Sequence, residues 1–132
     1  MEIIGRSIYQ GKVKGVTLVS QQMISFFGGI DPDTGIIVQK DHDRRGETIA
    51  NKILVFPTGT GSTVGSYTLY RLKQNGHAPL AIINWECEPI TAVGCIIAEI
   101  PCVDHISIEK IPDGTEIFLD GDEGKIEIHS IN

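Results

Sequence analysis

Apolar and polar positions alternate in short bursts along this chain, and the bursts predict strands joined by tight turns. Ile8 precedes the turn-like residues 11–15, and Val16 and Leu18 then alternate with Thr17, so residues 5–20 read as strand, turn and strand. Met23, Ile24, Phe26 and Phe27 form an apolar stretch stopped by Gly28 and Gly29. That glycine pair suits either a sharp turn or a backbone that something approaches closely. Residues 31–35, Asp-Pro-Asp-Thr-Gly, are a turn by residue type, and Ile36, Ile37 and Val38 predict a strand after it. Residues 41–47 form a polar loop. Residues 53–56, Ile-Leu-Val-Phe, are continuously apolar and closed by Pro57, the pattern of a strand buried on both faces.

A run of small residues follows, Thr58-Gly59-Thr60-Gly61-Ser62-Thr63, and then a helical pattern over Val64, Tyr67, Leu69, Tyr70 and Leu72, with Gly76 as its stop. Ala81, Ile82 and Ile83 predict another strand. Residues 89–92 open a short helix, and residues 95–100 are apolar on most sides. The tail predicts strands at Ile106 and Ile108, at residues 117–119, and at Ile126 and Ile128, with turns at Asp113-Gly114 and residues 120–124. With no repeat, low-complexity tract or linker, residues 1–132 read as one compact domain.

Composition narrows the function. A formal charge of -6, with no basic cluster larger than Arg44-Arg45, disfavours a nucleic-acid binder. No apolar run reaches the roughly 20 residues of a membrane span, and no signal-peptide core opens the chain, so a cytoplasmic location is expected. Cys87, Cys95 and Cys102 lack the close pairing of zinc or iron–sulfur sites and read as small buried hydrophobes, unless the fold brings three thiolates together.

The loop before the predicted helix carries the most chemistry. Glycines allow a tight turn and close approach, and amides at a helix entrance face whatever sits there, so residues 58–63 make a plausible carboxylate or phosphate cradle. The run lacks the Gly-Lys-Ser/Thr ending of a phosphate loop, the Gly-x-Ser-x-Gly of a nucleophile elbow, and the spacing of a dinucleotide fingerprint. Ser62 either caps the helix or acts as a base whose alkoxide is stabilised by amides and imported cations. His42 resembles an acid by type but reads as a solvated loop residue between Asp41 and Asp43. Trp85 reads equally as a core anchor or a partner-facing residue.

An ordered set of motifs then points to a family. Residues 27–35 (Phe-Gly-Gly-Ile-Asp-Pro-Asp-Thr-Gly), His42 with Gly46, residues 56–63, residues 81–84 (Ala-Ile-Ile-Asn), Pro89-Ile90 and Ile100-Pro101 together resemble the aconitase X swivel domain family. The resemblance implies an α/β fold: a β-rich, three-layer swivelling β/β/α domain like the small mobile domain of aconitase. It implies the small subunit of a hydro-lyase that dehydrates (R)-5-phosphomevalonate to trans-anhydromevalonate 5-phosphate in the archaeal mevalonate route. Ser62 would be the base, and Gly28, Gly29, Thr58, Gly59, Thr60, Gly61 and Thr63 would contact substrate. No metal or cofactor is expected on this chain; a 4Fe-4S cluster would belong to the large subunit of a heterodimer.

The pattern departs at Thr60 and Thr63, where relatives carry arginine and a second serine, so the missing positive charge would come from Arg44, Arg45 or the partner. Residues 114–121 also resemble phosphohistidine swivel domains, but the small-residue loop holds no histidine. Two other readings stand beside the dehydratase: a related hydro-lyase acting on another hydroxy acid, and a non-catalytic, anion-binding regulatory module.

Overall fold

The computed structural model describes residues 1–129. Its strands form one sheet in the order β1-β8-β7-β3-β4-β5-β6-β2. Strands β1 (Glu2–Ile4) and β2 (Arg6–Tyr9) are neighbours in sequence yet lie at opposite ends of that order. The chain between them, Gly5, donates to Gly124 O at 2.7 Å, so the sheet curls round and nearly closes.

Strand β3 (Lys12–Val19) explains the curl. Its first part, Lys12 to Val16, pairs antiparallel with β7 (Glu116–Asp120), and its last part, Thr17 to Val19, pairs parallel with β4 (Ile53–Phe56). One strand thus serves an antiparallel half, β1-β8-β7, and a mainly parallel half, β4-β5-β6-β2. Here β5 is Ala81–Asn84, β6 is Cys102–Asp104 and β8 is Lys125–Ile128.

Side-chain alternation divides the core into two layers. From β4, Ile53 and Val55 face the antiparallel half and meet Ile83, Val103, Ile117, Leu119 and Ile126. Leu54 and Phe56 face the other way, onto Ile82, Leu69, Leu72 and Cys95. The last three belong to α2 (Gly65–Gln74) and α3 (Pro89–Ala98), which pack on each other outside the parallel half. The architecture is the expected β/β/α.

Three local expectations are corrected. Ile36 and Ile37 make isolated bridges to Thr48 and Ile30 rather than a strand. Ile108 begins a 3-10 turn, Ile108–Lys110, while the strand lies earlier at β6. Finally, α3 runs the full ten residues from Pro89, because Glu88 accepts from the amides of Ile90 and Thr91, each at 2.8 Å, and Pro89 suits the first turn. Among the described residues no helix is long and apolar enough to cross a membrane.

Candidate functional site

The small-residue loop leaves the sheet where β4 and β5 end side by side, with Phe56 opposite Asn84. Buried Asn84 donates Nδ2 to Phe56 O at 2.9 Å, and Pro57 O accepts from the amides of Trp85 at 3.0 Å and Glu86 at 3.1 Å. These bonds fix the root of the loop at the carboxyl ends of parallel strands, the place where α/β sheets hold ligands. Beyond the root, Ile24 pairs with the loop: its amide donates to Thr58 O at 3.3 Å and its carbonyl accepts from Thr60 N at 3.0 Å. Gly59 is buried there, and any side chain would collide with Glu88 and Thr91. Gly61 has φ +96 and abuts Ser25 Oγ, so both conformation and space exclude a larger residue.

Residues 60–64 are all exposed. Ser62 Oγ accepts from Val64 N at 3.2 Å, and Ser62 O accepts from Gly65 N at 2.9 Å. Val64, not Ser62, stands at the cap position of α2, so Ser62 closes a tight turn just before the helix. That turn occupies the amides of Gly65, Ser66 and Tyr67. Among the described residues, the amides of Gly61, Ser62 and Thr63 have no such acceptor. These three amides are therefore available beside an exposed hydroxyl, next to the N-terminal end of α2, whose dipole favours negative charge. Thr60 contributes an exposed hydroxyl, but its amide is already bound to Ile24 O.

Gly28 and Gly29 lie in the short helical turn α1 (Phe26–Gly29), next to the loop: Gly65 approaches Phe26 and the Phe27 amide. Gly28 is exposed with φ +84, whereas Gly29 is buried and a Cβ on it would come within 2.7 Å of Gln39 Oε1. Sequence reasoning assigned nothing to Gln39 or Ser25, which lie behind the loop and carry no type signal of their own.

Two expectations about the 41–47 segment are overturned. His42 is not solvated: its side chain is buried, with Nε2 3.1 Å from Ser20 Oγ and Nδ1 accepting from Arg44 N at 3.1 Å. Arg44 is committed elsewhere, donating to Val19 O at 3.0 Å and pairing with Glu47 and, at 2.9 Å, Asp113. Its pKa is raised above the ordinary value, chiefly by the hydrogen bond to Glu47. Burial pushes Asp113 up, but the Val19 amide and Arg44 outweigh it and hold the carboxyl below its ordinary value. Arg45 stays exposed.

The fold brings the cysteines closer than their spacing indicated. Cys102 Sγ lies 3.7 Å from Cys87 Sγ and also contacts Cys95, and all three are free and buried. The contact with Cys102, then burial, raises the Cys87 thiol; for Cys102 the contact with Cys87 lowers it, but Cys95 and burial win. The three thiols pack side by side in the core, as small buried hydrophobes do. Glu86, Asp104 and His105 also converge, but Arg6 occupies that cluster, pairing with Asp104 at 2.8 Å and Glu86 at 3.4 Å. Beside them Trp85 is exposed rather than a core anchor.

The outer faces of the helices are apolar. Tyr67 is 69% exposed, with Val64, Val93, Ile96 and Ile97 also open, so of the helical pattern over Val64, Tyr67, Leu69, Tyr70 and Leu72 only the two leucines are buried. Grooves of about 460 and 470 Å³ flank the Ser62 loop, the first between Phe27, Val38 and Tyr67, the second between Val64, Ile90, Val93 and Ile97. Exposed apolar side chains grouped in this way are a common feature of docking surfaces.

The profile of the aconitase X swivel domain matches residues 2–128. The chain belongs to the aconitase X swivel domain family. Within the family it is 52% identical, over 97% of its length and 98% of the relative's, to a protein of Thermococcus sibiricus named phosphomevalonate dehydratase small subunit. It superposes with a TM-score of 0.97 and 48% identity on the crystal structure of Thermococcus kodakaraensis aconitase X in its holo-form, covering 98% of this chain and 99% of that one. A relative solved in solution by NMR gives a TM-score of 0.89 at 44% identity, covering 98% of this chain and 100% of that one.

Proposed function

We propose that this chain is the small subunit of a phosphomevalonate dehydratase and that Ser62 is the base it brings to the active site. The observation that carries this reading is the exposed Ser62 hydroxyl among three unbonded amides at the entrance of α2. The family membership and the relatives' names support it. Dehydration removes a proton from the carbon beside the substrate carboxylate while the hydroxyl leaves the next carbon, giving trans-anhydromevalonate 5-phosphate and water. The proton passes to Ser62 Oγ, whose alkoxide form is stabilised by the Val64 amide, the unbonded loop amides and the helix end. Thr60 and Thr63 supply hydroxyls to the substrate anion, and Gly28 with residues 58–61 shapes the backbone wall beside it.

This chain is half of a site. The large subunit docks on the apolar rim formed by Phe27, Val64 and Tyr67, holds the 4Fe-4S cluster and provides the electrophile for the leaving hydroxyl. The cation missing at Thr60 comes from Arg45 or from that partner, because Arg44 is held by Glu47 and Asp113. Co-expression with the large subunit tests the assignment. Ser62→Ala is expected to assemble normally and to lose turnover of 5-phosphomevalonate; retained turnover removes Ser62 from the mechanism.

A further inference from the structure

We infer that Gln39 is the positioning residue for the Ser62 loop, an inference that rests on the proposed role of Ser62. Its side-chain amide faces residues 23–25 edge-on: Oε1 accepts from Ser25 N at 2.9 Å, and Nε2 donates to Met23 O at 3.1 Å. Those are the backbone groups on either side of Ile24, so the Gln39 amide takes the place of a neighbouring strand. The Ile24 groups point the opposite way and hold the loop, through Thr58 O and Thr60 N. Residues 23–25 are therefore one rung held between the Gln39 side chain and the segment leading to Ser62.

A second contact fixes the same register. Ser25, held at its amide by Gln39, donates its hydroxyl to Phe27 O at 3.0 Å and lies against Gly61, the residue before Ser62. Gln39 is itself anchored, its amide donating to Gly29 O at 3.0 Å. Glycine at 29 leaves the space the Gln39 side chain fills, since a Cβ there would lie 2.7 Å from Oε1 and 3.4 Å from Gln39 Cβ. A residue outside the loop thus sets where the Ser62 hydroxyl stands. It does so by hydrogen bonds that a hydrocarbon side chain cannot make.

Gln39→Leu keeps the bulk and removes both bonds; Gln39→Glu keeps the acceptor and loses the donor. In the enzyme assembled with its large subunit, Gln39→Leu is expected to lower kcat about 10- to 100-fold, the effect of a slightly misplaced catalytic group. KM for 5-phosphomevalonate should stay within about twofold. Gln39→Glu should fall between Gln39→Leu and the parent.

A structural readout accompanies the kinetics. Hydrogen exchange of the Thr60 amide in the full chain should speed up about tenfold in Gln39→Leu, while core strand amides such as that of Val55 stay protected. Unchanged Thr60 exchange in both variants overturns the clamp. Faster exchange with parental kcat, in an enzyme that Ser62→Ala inactivates, overturns its catalytic consequence while leaving the Ser62 reading intact. Turnover by Ser62→Ala defeats the Ser62 reading and this inference with it.

Discussion

Ser20 and Ser62 both sit among groups suited to catalysis, and they are built in opposite ways. Ser20 has the richer company: its Oγ donates to Asp43 Oδ1 at 2.7 Å, lies 3.1 Å from His42 Nε2, and accepts from Gln22 N at 3.1 Å. By composition that is a serine, a histidine and an aspartate in contact. The Arg44 amide donating to His42 Nδ1 assigns the ring proton to Nε2, so the imidazole donates to Ser20 and cannot take its proton. Asp43 Oδ1, 3.2 Å from Nδ1, is served by Ser20 instead. Ser20 is also fully buried, so the whole network serves to moor the 41–47 loop to the end of β3. Ser62 has only the Val64 amide, but it is exposed and surrounded by free donors. Access and unspent donors, rather than the number of polar neighbours, distinguish the serine proposed as the base from the buried one.

The contrast can be broken by substitution. Ser62→Ala should lower kcat of the assembled enzyme about 10³-fold, within the range for a positioned base, and leave thermal stability within about 0.5 kcal/mol, as for an exposed site. Next in size, Val64→Asp or Tyr67→Asp should weaken association with the large subunit about 100-fold, since each places a charge on the apolar rim; titration calorimetry with the purified partner reads this directly. Ser20→Ala should do the reverse of Ser62→Ala. It leaves buried His42 and the Gln22 amide without a partner, costing about 2 kcal/mol in denaturant unfolding, while kcat of the folded enzyme stays unchanged.

The smallest effect is on pH. Asp104 is pushed up by burial, but Arg6 and the Cys87 amide outweigh this and hold it below its ordinary 3.8. Asp113 is lowered in the same sense, and Glu47 is lowered first by its hydrogen bond to Arg44. Depressed carboxyls contribute stability that is fully present above their unfolded values and lost as pH falls through the folded ones. Melting temperature should therefore be flat, as far as these groups act, from pH 8 down to about 5 and should decline below about 4. Asp113→Asn should flatten part of that decline.

Much of the fold was legible because burial on both faces writes itself into composition. Residues 53–56 and 81–83 are continuously apolar, and both are central parallel strands. The loop-to-helix unit was legible from its glycines. Helix α3 was under-read because its outward side chains, Val93, Ile96 and Ile97, are as apolar as its inward ones. An apolar outer face erases the amphipathic signal. In the site, Ser62 and its loop stood out by residue type, whereas the burial of His42 and the clamp at Gln39 depend on contacts 14 to 22 residues apart in sequence. No local pattern encodes those.

The central claim is that the proton crossing to and from substrate carbon is carried by the Ser62 hydroxyl. It is tested most directly in D2O, by giving the assembled enzyme trans-anhydromevalonate 5-phosphate and following deuterium at the carbon beside the carboxylate as water adds back. Parent enzyme should label that carbon, and Ser62→Ala should label it about 10³-fold more slowly. Labelling by Ser62→Ala at the parental rate would contradict the account.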